Sequence, residues 1–78
     1  MNIKILGSGC SNCKKLEQSA REAVEKLNIE ATVEKITDVK MYAKYGILRT
    51  PGLVINDKPV SAGKVLNADQ IIQLIQSL

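Results

Sequence analysis

Seventy-eight residues, 45% of them hydrophobic, point to one domain over residues 1–78 with a single layered core. Eleven basic and eight acidic residues, interspersed to a formal charge of +3, are too few and too scattered for a nucleic-acid binder; Trp and Phe are absent, and Tyr42 and Tyr45 make no stacking platform. The absence of histidine removes the commonest general base, the usual partner of a hydrolytic cysteine and the commonest zinc ligand.

The chain opens on a short apolar strand, Ile3 to Leu6, of the kind found inside a sheet covered on both faces. No signal-peptide core or membrane-length apolar run is present at the start or elsewhere, so the expectation is a soluble cytoplasmic protein that does not touch a membrane. The strand breaks at Gly7-Ser8-Gly9. A helix follows from Cys13 to Leu27: Leu16, Ala20, Val24 and Leu27 recur at three- and four-residue steps, and charged residues occupy the opposite side. Glu17 with Arg21 and Glu22 with Lys26 have the spacing of i,i+4 ion pairs.

Glu30 to Ile36 alternates imperfectly and carries the β-branched residues of a second strand. Thr37 can cap a short helix running through Val39, Tyr42 and Ala43 until Gly46 ends it. Leu53 to Ile55 and Pro59 to Ser61 flank the turn-forming Asn56-Asp57-Lys58 and read as a hairpin. Gly63 breaks the last strand. Asn67, with Gln70 three residues on, has the capping-box pattern, opening a helix with Ile71, Ile72, Leu74, Ile75 and Leu78 on its apolar face. The order is β-α-β-α-β-β-α. It implies an α/β domain with a mixed four-stranded sheet and helices on both faces, since a strand, crossover helix and strand give a parallel pair and the hairpin adds antiparallel strands.

The only two cysteines, Cys10 and Cys13, stand where the first strand gives way to the first helix. Backbone N–H groups and the positive end of the helix dipole favour thiolate there, the form that attacks disulfides and binds soft metals. A bridge enclosing two residues removes little unfolded-state entropy, so a structural staple is the weak use. Reversible disulfide exchange and metal binding stay open on this pair alone.

The second motif is Arg49-Thr50-Pro51-Gly52. A proline ahead of a strand is ordinarily punctuation, because it fixes φ and donates no hydrogen bond. Following Cys-x-x-Cys at the end of the first strand, in this element order, the Thr50-Pro51 pair resembles the pattern of the thioredoxin and glutaredoxin superfamily. The resemblance covers essentially the whole chain. It is most similar to the small redox-active disulfide proteins of bacteria and archaea, thioredoxin-like domains of about glutaredoxin size. Thr50 to Lys58 resembles their segment from cis-proline through the third strand into the hairpin turn, and Gly63 their glycine at the end of the last strand. The resemblance implies a cis bond before Pro51 and a substrate-docking edge at Thr50 and Pro51 beside Cys10.

The pattern also has departures. Gly9 replaces the tryptophan usual before the first cysteine, and neither Ser11 nor Asn12 is the proline usual between the cysteines. Lys4 occupies the position of a buried acid in thioredoxins. It is either a strand lysine reaching solvent along its stem or a cation that helps hold a thiolate. Asn67 and Asp69 do not directly follow Gly63 as glutathione-contacting acids would, so glutathione recognition has no support.

The resulting expectation is thiol–disulfide exchange with protein disulfides and an upstream disulfide reductase, by a monomer needing no cofactor and no metal. Cys10 attacks and the more buried Cys13 resolves. The helix terminus can bring the nucleophile's pKa toward about 7 without an imidazole. Ser11 and Asn12 either cap the helix or bond the attacking sulfur, and Lys14 and Lys15 add positive potential or are solvated charges. The rival use is Cu(I) binding or transfer, since heavy-metal-associated domains carry Gly-Met-x-Cys-x-x-Cys after their first strand. Against it stand Ser8 at the methionine position, the element order and the Thr50-Pro51 pattern.

Overall fold

Alternation along the first strand decides how the molecule is layered. A computed structural model describes residues 1–8 and 11–77. Its strand β1 (Asn2–Leu6) pairs in parallel with β2 (Thr32–Ile36) and antiparallel with β3 (Gly52–Ile55), which pairs with β4 (Lys58–Ala62). The sheet order is β2-β1-β3-β4, so β1 and β3 are interior strands, and all four residues of β3 are buried.

Successive side chains of a strand point to opposite faces, and two cores result. On one face, Ile3, Ile5, Leu53 and Ile55 meet Leu16, Ala20 and Ala23 of helix α1 (Ser11–Leu27) and Ile71 and Ile75 of helix α3 (Ala68–Gln76). On the other, Leu6 and Val54 meet Ile47, with Ile36 and two tyrosines of the α2 region packed against them; α2 spans Val39–Lys44. The chain therefore has the mixed four-stranded sheet and two-sided helical cover of a thioredoxin-like α/β fold. Among the described residues, no helix is long and apolar enough to cross a membrane.

Several boundaries differ from the sequence expectation. The second strand begins at Thr32, not Glu30, because only from Thr32 does it have β1 beside it, and its exposure pattern is that of an edge. Asp38, not Thr37, caps α2: its carboxylate accepts from the Lys40 N–H at 2.9 Å. The hairpin turn has two residues, not three. Asn56 and Asp57 both take positive φ (50° and 65°), which Asn and Asp tolerate and which suits the twist of a tight hairpin, leaving Lys58 to pair with Ile55.

In α1, Ala23 is fully buried and Val24 only partly. Glu17 and Arg21 pair at 2.9 Å, whereas Lys26 turns from Glu22 to Asp69 at 3.7 Å. The capping box of α3 is present in both directions, Asn67 Oδ1 accepting at 2.8 Å and Gln70 Oε1 at 2.9 Å. Leu78 lies outside the described residues.

Candidate active site

Three segments converge at the end of the sheet where β1 finishes. Strand β1 continues into Gly7, whose N–H donates to the Ile36 carbonyl at 2.9 Å and holds the strand end against β2. Helix α1 starts four residues later and carries Cys13 in its first turn, 5% exposed. The Thr50–Pro51 segment enters β3 from the same end, and its peptide bond is cis. The Pro51 carbonyl accepts from the Gly63 N–H at 2.9 Å, fastening this segment to the end of β4.

Gly7 is the point of contact. A β-carbon added there would run into the Cys13 sulfur, lie 3.2 Å from Cys13 Cβ and reach within 3.9 Å of Thr50 Cβ. Only a residue without a side chain lets the strand end pass between the helical cysteine and the Thr50 segment. The expected burial of Cys13 and the expected neighbourhood of Thr50 and Pro51 therefore meet at one place. Cys10, the expected nucleophile, lies outside the described residues, as does Gly9.

The remaining expected residues divide. Thr50 is exposed and Pro51 buried. Among the described residues, neither the N–H nor the carbonyl of Thr50 makes a main-chain hydrogen bond. Ser11 and Asn12 are both exposed and already helical, so neither occupies the capping position ahead of α1. Lys14 and Lys15 are exposed on the first turns of α1.

Lys4 neither reaches solvent freely nor keeps its ammonium for a sulfur. Its Nζ donates to the Tyr45 hydroxyl at 2.8 Å and to Asp57 Oδ1 at 3.2 Å, and lies 5.3 Å from the centre of the Tyr45 ring; the hydroxyl itself donates to Asp57 at 3.0 Å. The hydrogen bond with Tyr45, and after it that with Asp57, raises the Lys4 pKa above its ordinary 10.5. Asp57 is lowered from 3.8, by Lys4 first and Tyr45 second.

Two features escaped sequence reading. Gly7 reads as a strand breaker, and nothing local tells that a cysteine sulfur will occupy the space a β-carbon would need there. Leu48, 94% exposed, stands two residues before Thr50, where an apolar residue directly after the buried Ile47 would pass for core.

Comparison with known proteins gives a consistent result. A family model described as a thioredoxin domain matches residues 1–76. A protein named thioredoxin from Methanothermobacter thermautotrophicus is 37% identical over 75 residues, 96% of this chain and 97% of that protein. One of the same name from Methanocaldococcus jannaschii is 35% identical over 75 residues, 96% of this chain and 86% of its own length.

Proposed function

The chain belongs to the thioredoxin-domain family and is a thioredoxin-like disulfide oxidoreductase; from that premise we propose that Cys10 is its nucleophile, Cys13 its resolving thiol, and Thr50-Pro51 the edge on which protein disulfides dock. The observation that supports this most is the convergence on Gly7, which brings Cys13 in the first helical turn and Thr50 of the neighbouring loop to the same few ångströms.

The exchange runs in two balanced steps. The Cys10 thiolate attacks one sulfur of the substrate disulfide, forming a Cys10–substrate disulfide and expelling the other substrate sulfur as a thiolate, which takes a proton. Cys13 then loses its proton and attacks Cys10 Sγ. The second substrate thiol departs, the protein is left with a Cys10–Cys13 disulfide, and two electrons have passed to the substrate. No cofactor beyond the two sulfurs is needed, and an upstream disulfide reductase restores the dithiol. Thr50, exposed and with no main-chain hydrogen bond among the described residues, suits an extended substrate segment, which would complete those hydrogen bonds as an added strand. Ser11 and Asn12, exposed and between the two cysteines in sequence, would contact the docked substrate. We place the protein in a reducing cytoplasm, acting as a monomer.

The test is reduction of a model protein disulfide by the dithiol form, repeated with Cys13→Ser. The variant should lose turnover and accumulate a stable mixed disulfide on Cys10. Stoichiometric Cu(I) binding by the native pair with no reductase activity would overturn the proposal in favour of metal handling.

A further inference from the structure

Four exposed cations stand on the segments that lead into the convergence point. Lys14 and Lys15 follow Cys13 directly on α1. On the other side of Thr50, the stem of Arg49 lies across Gly63, where an added β-carbon would approach Arg49 Cβ to 3.0 Å and Cδ to 3.3 Å. Gly63 also has φ +72°, so no side chain competes for that space, and the next residue is the exposed Lys64. Beyond it, Val65 shares a surface groove with Lys15 and, at its outer edge, Glu22, which closes the arc back to α1.

The ionic pairs of the molecule lie elsewhere. Lys4, Arg21, Lys26 and Lys35 take Asp57, Glu17 and Asp69, while Lys14, Lys15, Arg49 and Lys64 have no ion pair among the described residues. Glu17, the acid nearest the two α1 lysines in sequence, is turned to Arg21 and Lys35. Asp38, on the β2 side of the site, has its carboxylate on the Lys40 N–H as a helix cap. The side of the site bounded by α1, the Thr50 loop and the end of β4 therefore presents net positive charge, four cations against Glu22 at its outer edge, with Leu48 as a bare apolar contact in the same loop.

We infer that this protein selects disulfides lying in acidic protein segments, with carboxylates flanking the substrate cysteine set against Arg49, Lys64 and Lys14/Lys15 and an apolar residue of the same segment on Leu48. The inference rests on the exchange function proposed above and adds the substrate chemistry. Exposed cations contribute little to static affinity, but a net positive field beside the reacting sulfur raises the encounter rate with an oppositely charged partner and fails in salt. Arg49 also offers a planar fork suited to a carboxylate at the docking edge.

The experiment uses one leucine-containing peptide in three versions, its cysteine flanked by Glu, Gln or Lys and disulfide-bonded to 2-mercaptoethanol. Second-order rates of reduction by the dithiol protein are divided by those with dithiothreitol, which cancels the peptides' own reactivity. The Glu version should exceed the Lys version about tenfold at low ionic strength, and the two should converge in roughly half-molar salt. The double variant Arg49→Gln/Lys64→Gln should bring that ratio to within about twofold of unity, and Leu48→Ser should slow the Glu version while leaving its salt dependence in place. Equal normalised rates for all three peptides would overturn the inference and leave the exchange function standing. Failure to reduce any of them would overturn both. The uncharged bis(2-hydroxyethyl) disulfide reduced as fast as the Glu peptide after the same normalisation would also overturn it, because neither carboxylates nor a peptide segment would then matter.

Discussion

At the hairpin end of the sheet, the Lys4 ammonium has a hydroxyl and a carboxylate within hydrogen-bonding distance and lies over the Tyr45 ring. At the opposite end, Lys14, Lys15, Arg49 and Lys64 have no ionic partner among the described residues. The contrast follows from burial. The Lys4 side chain is 16% exposed, beneath the α2 region, and a cation so placed needs partners to replace water. The four cations at the other end keep their water and remain free to exchange it for a partner's carboxylates. Packing is likewise tight without side-chain adjustment at one end, where Gly7 touches sulfur, and tolerant at the other, where Asp57 is three-quarters exposed. One end of this sheet partners its cation within the fold, and the other leaves its cations to solvent.

The largest expected effect comes from filling the space at Gly7. Gly7→Ala must displace the Cys13 sulfur, so it should destabilise the fold by about 1–3 kcal/mol, roughly 5–20 °C in Tm for a chain this short, and slow resolution of the mixed disulfide. Gly46→Ala is the comparison. Nothing lies within 4 Å of that position, and its φ of +70° alone makes a side chain unfavourable, by about 1 kcal/mol. Thermal melts with mixed-disulfide lifetimes check both. If Gly7→Ala changes Tm no more than Gly46→Ala and leaves resolution intact, the close approach does not matter to the chemistry.

What was legible in the sequence was whatever local chemistry decides. Asn67 and Gln70 satisfy each other's backbone N–H, Asn56-Asp57 accepts positive φ, and the alternation of Ile3 and Ile5 against Leu6 sets two faces; each is readable from neighbours in the chain. The meeting of Cys13 with Thr50 followed from the element order together with the resemblance, because a parallel pair and a hairpin bring the ends of β1 and β3 to one edge. Lys4 was not legible, since its partners are 41 and 53 residues away and only folding brings them together. Thr37 and Asp38 are both good caps, and which one serves depends on where β2 releases the chain. The Glu22–Lys26 spacing was correct for an ion pair, but Asp69 on the packed helix α3 competes for the same lysine. The role of Gly7 is a tertiary contact with no local signature.

A smaller effect tests the boundary between the two ends. Glu17, 14% exposed in its side chain, holds Arg21 at 2.9 Å and Lys35 at 3.2 Å, tying α1 to β2. Its pKa lies below the ordinary 4.5, chiefly through the Arg21 hydrogen bond and then, against partial desolvation, Lys35. Glu17→Gln should cost about 0.5–1 kcal/mol at neutral pH, read from a denaturant midpoint. A carboxylate with a depressed folded-state pKa contributes fully above 4.5 and loses its contribution as pH falls through the folded value, so the variant should approach the parent in acid. Glu17→Gln should also raise, not lower, the preference for acidic peptides, because a carboxylate near the α1 lysines is gone. A fall in that preference would mean that Glu17 helps to position the cationic arc, and the two ends would not be separable.

The smallest effect is at the hairpin turn, and its pH dependence has two sides. Asp57 is lowered below 3.8, so its contribution is complete above that value and disappears as pH falls through the folded pKa. Lys4 is raised above 10.5, so its contribution is complete below that value and disappears as pH rises through its folded pKa. Between about pH 5 and 9 both groups are charged in folded and unfolded chains alike, and the network's contribution is constant. Asp57→Asn should therefore lower Tm by less than Glu17→Gln does, by an amount flat across that window and shrinking towards zero in stronger acid. Reduction rates for the three peptides should not change, because Asp57 sits at the far end of the sheet from Cys13. A Tm gap that widens on acidification would show that the carboxylate is not what Lys4 requires, leaving the Tyr45 hydroxyl and ring to hold the ammonium. A shift in peptide rates would connect the two ends of the sheet through β1, the strand that carries Lys4 and leads directly into Gly7.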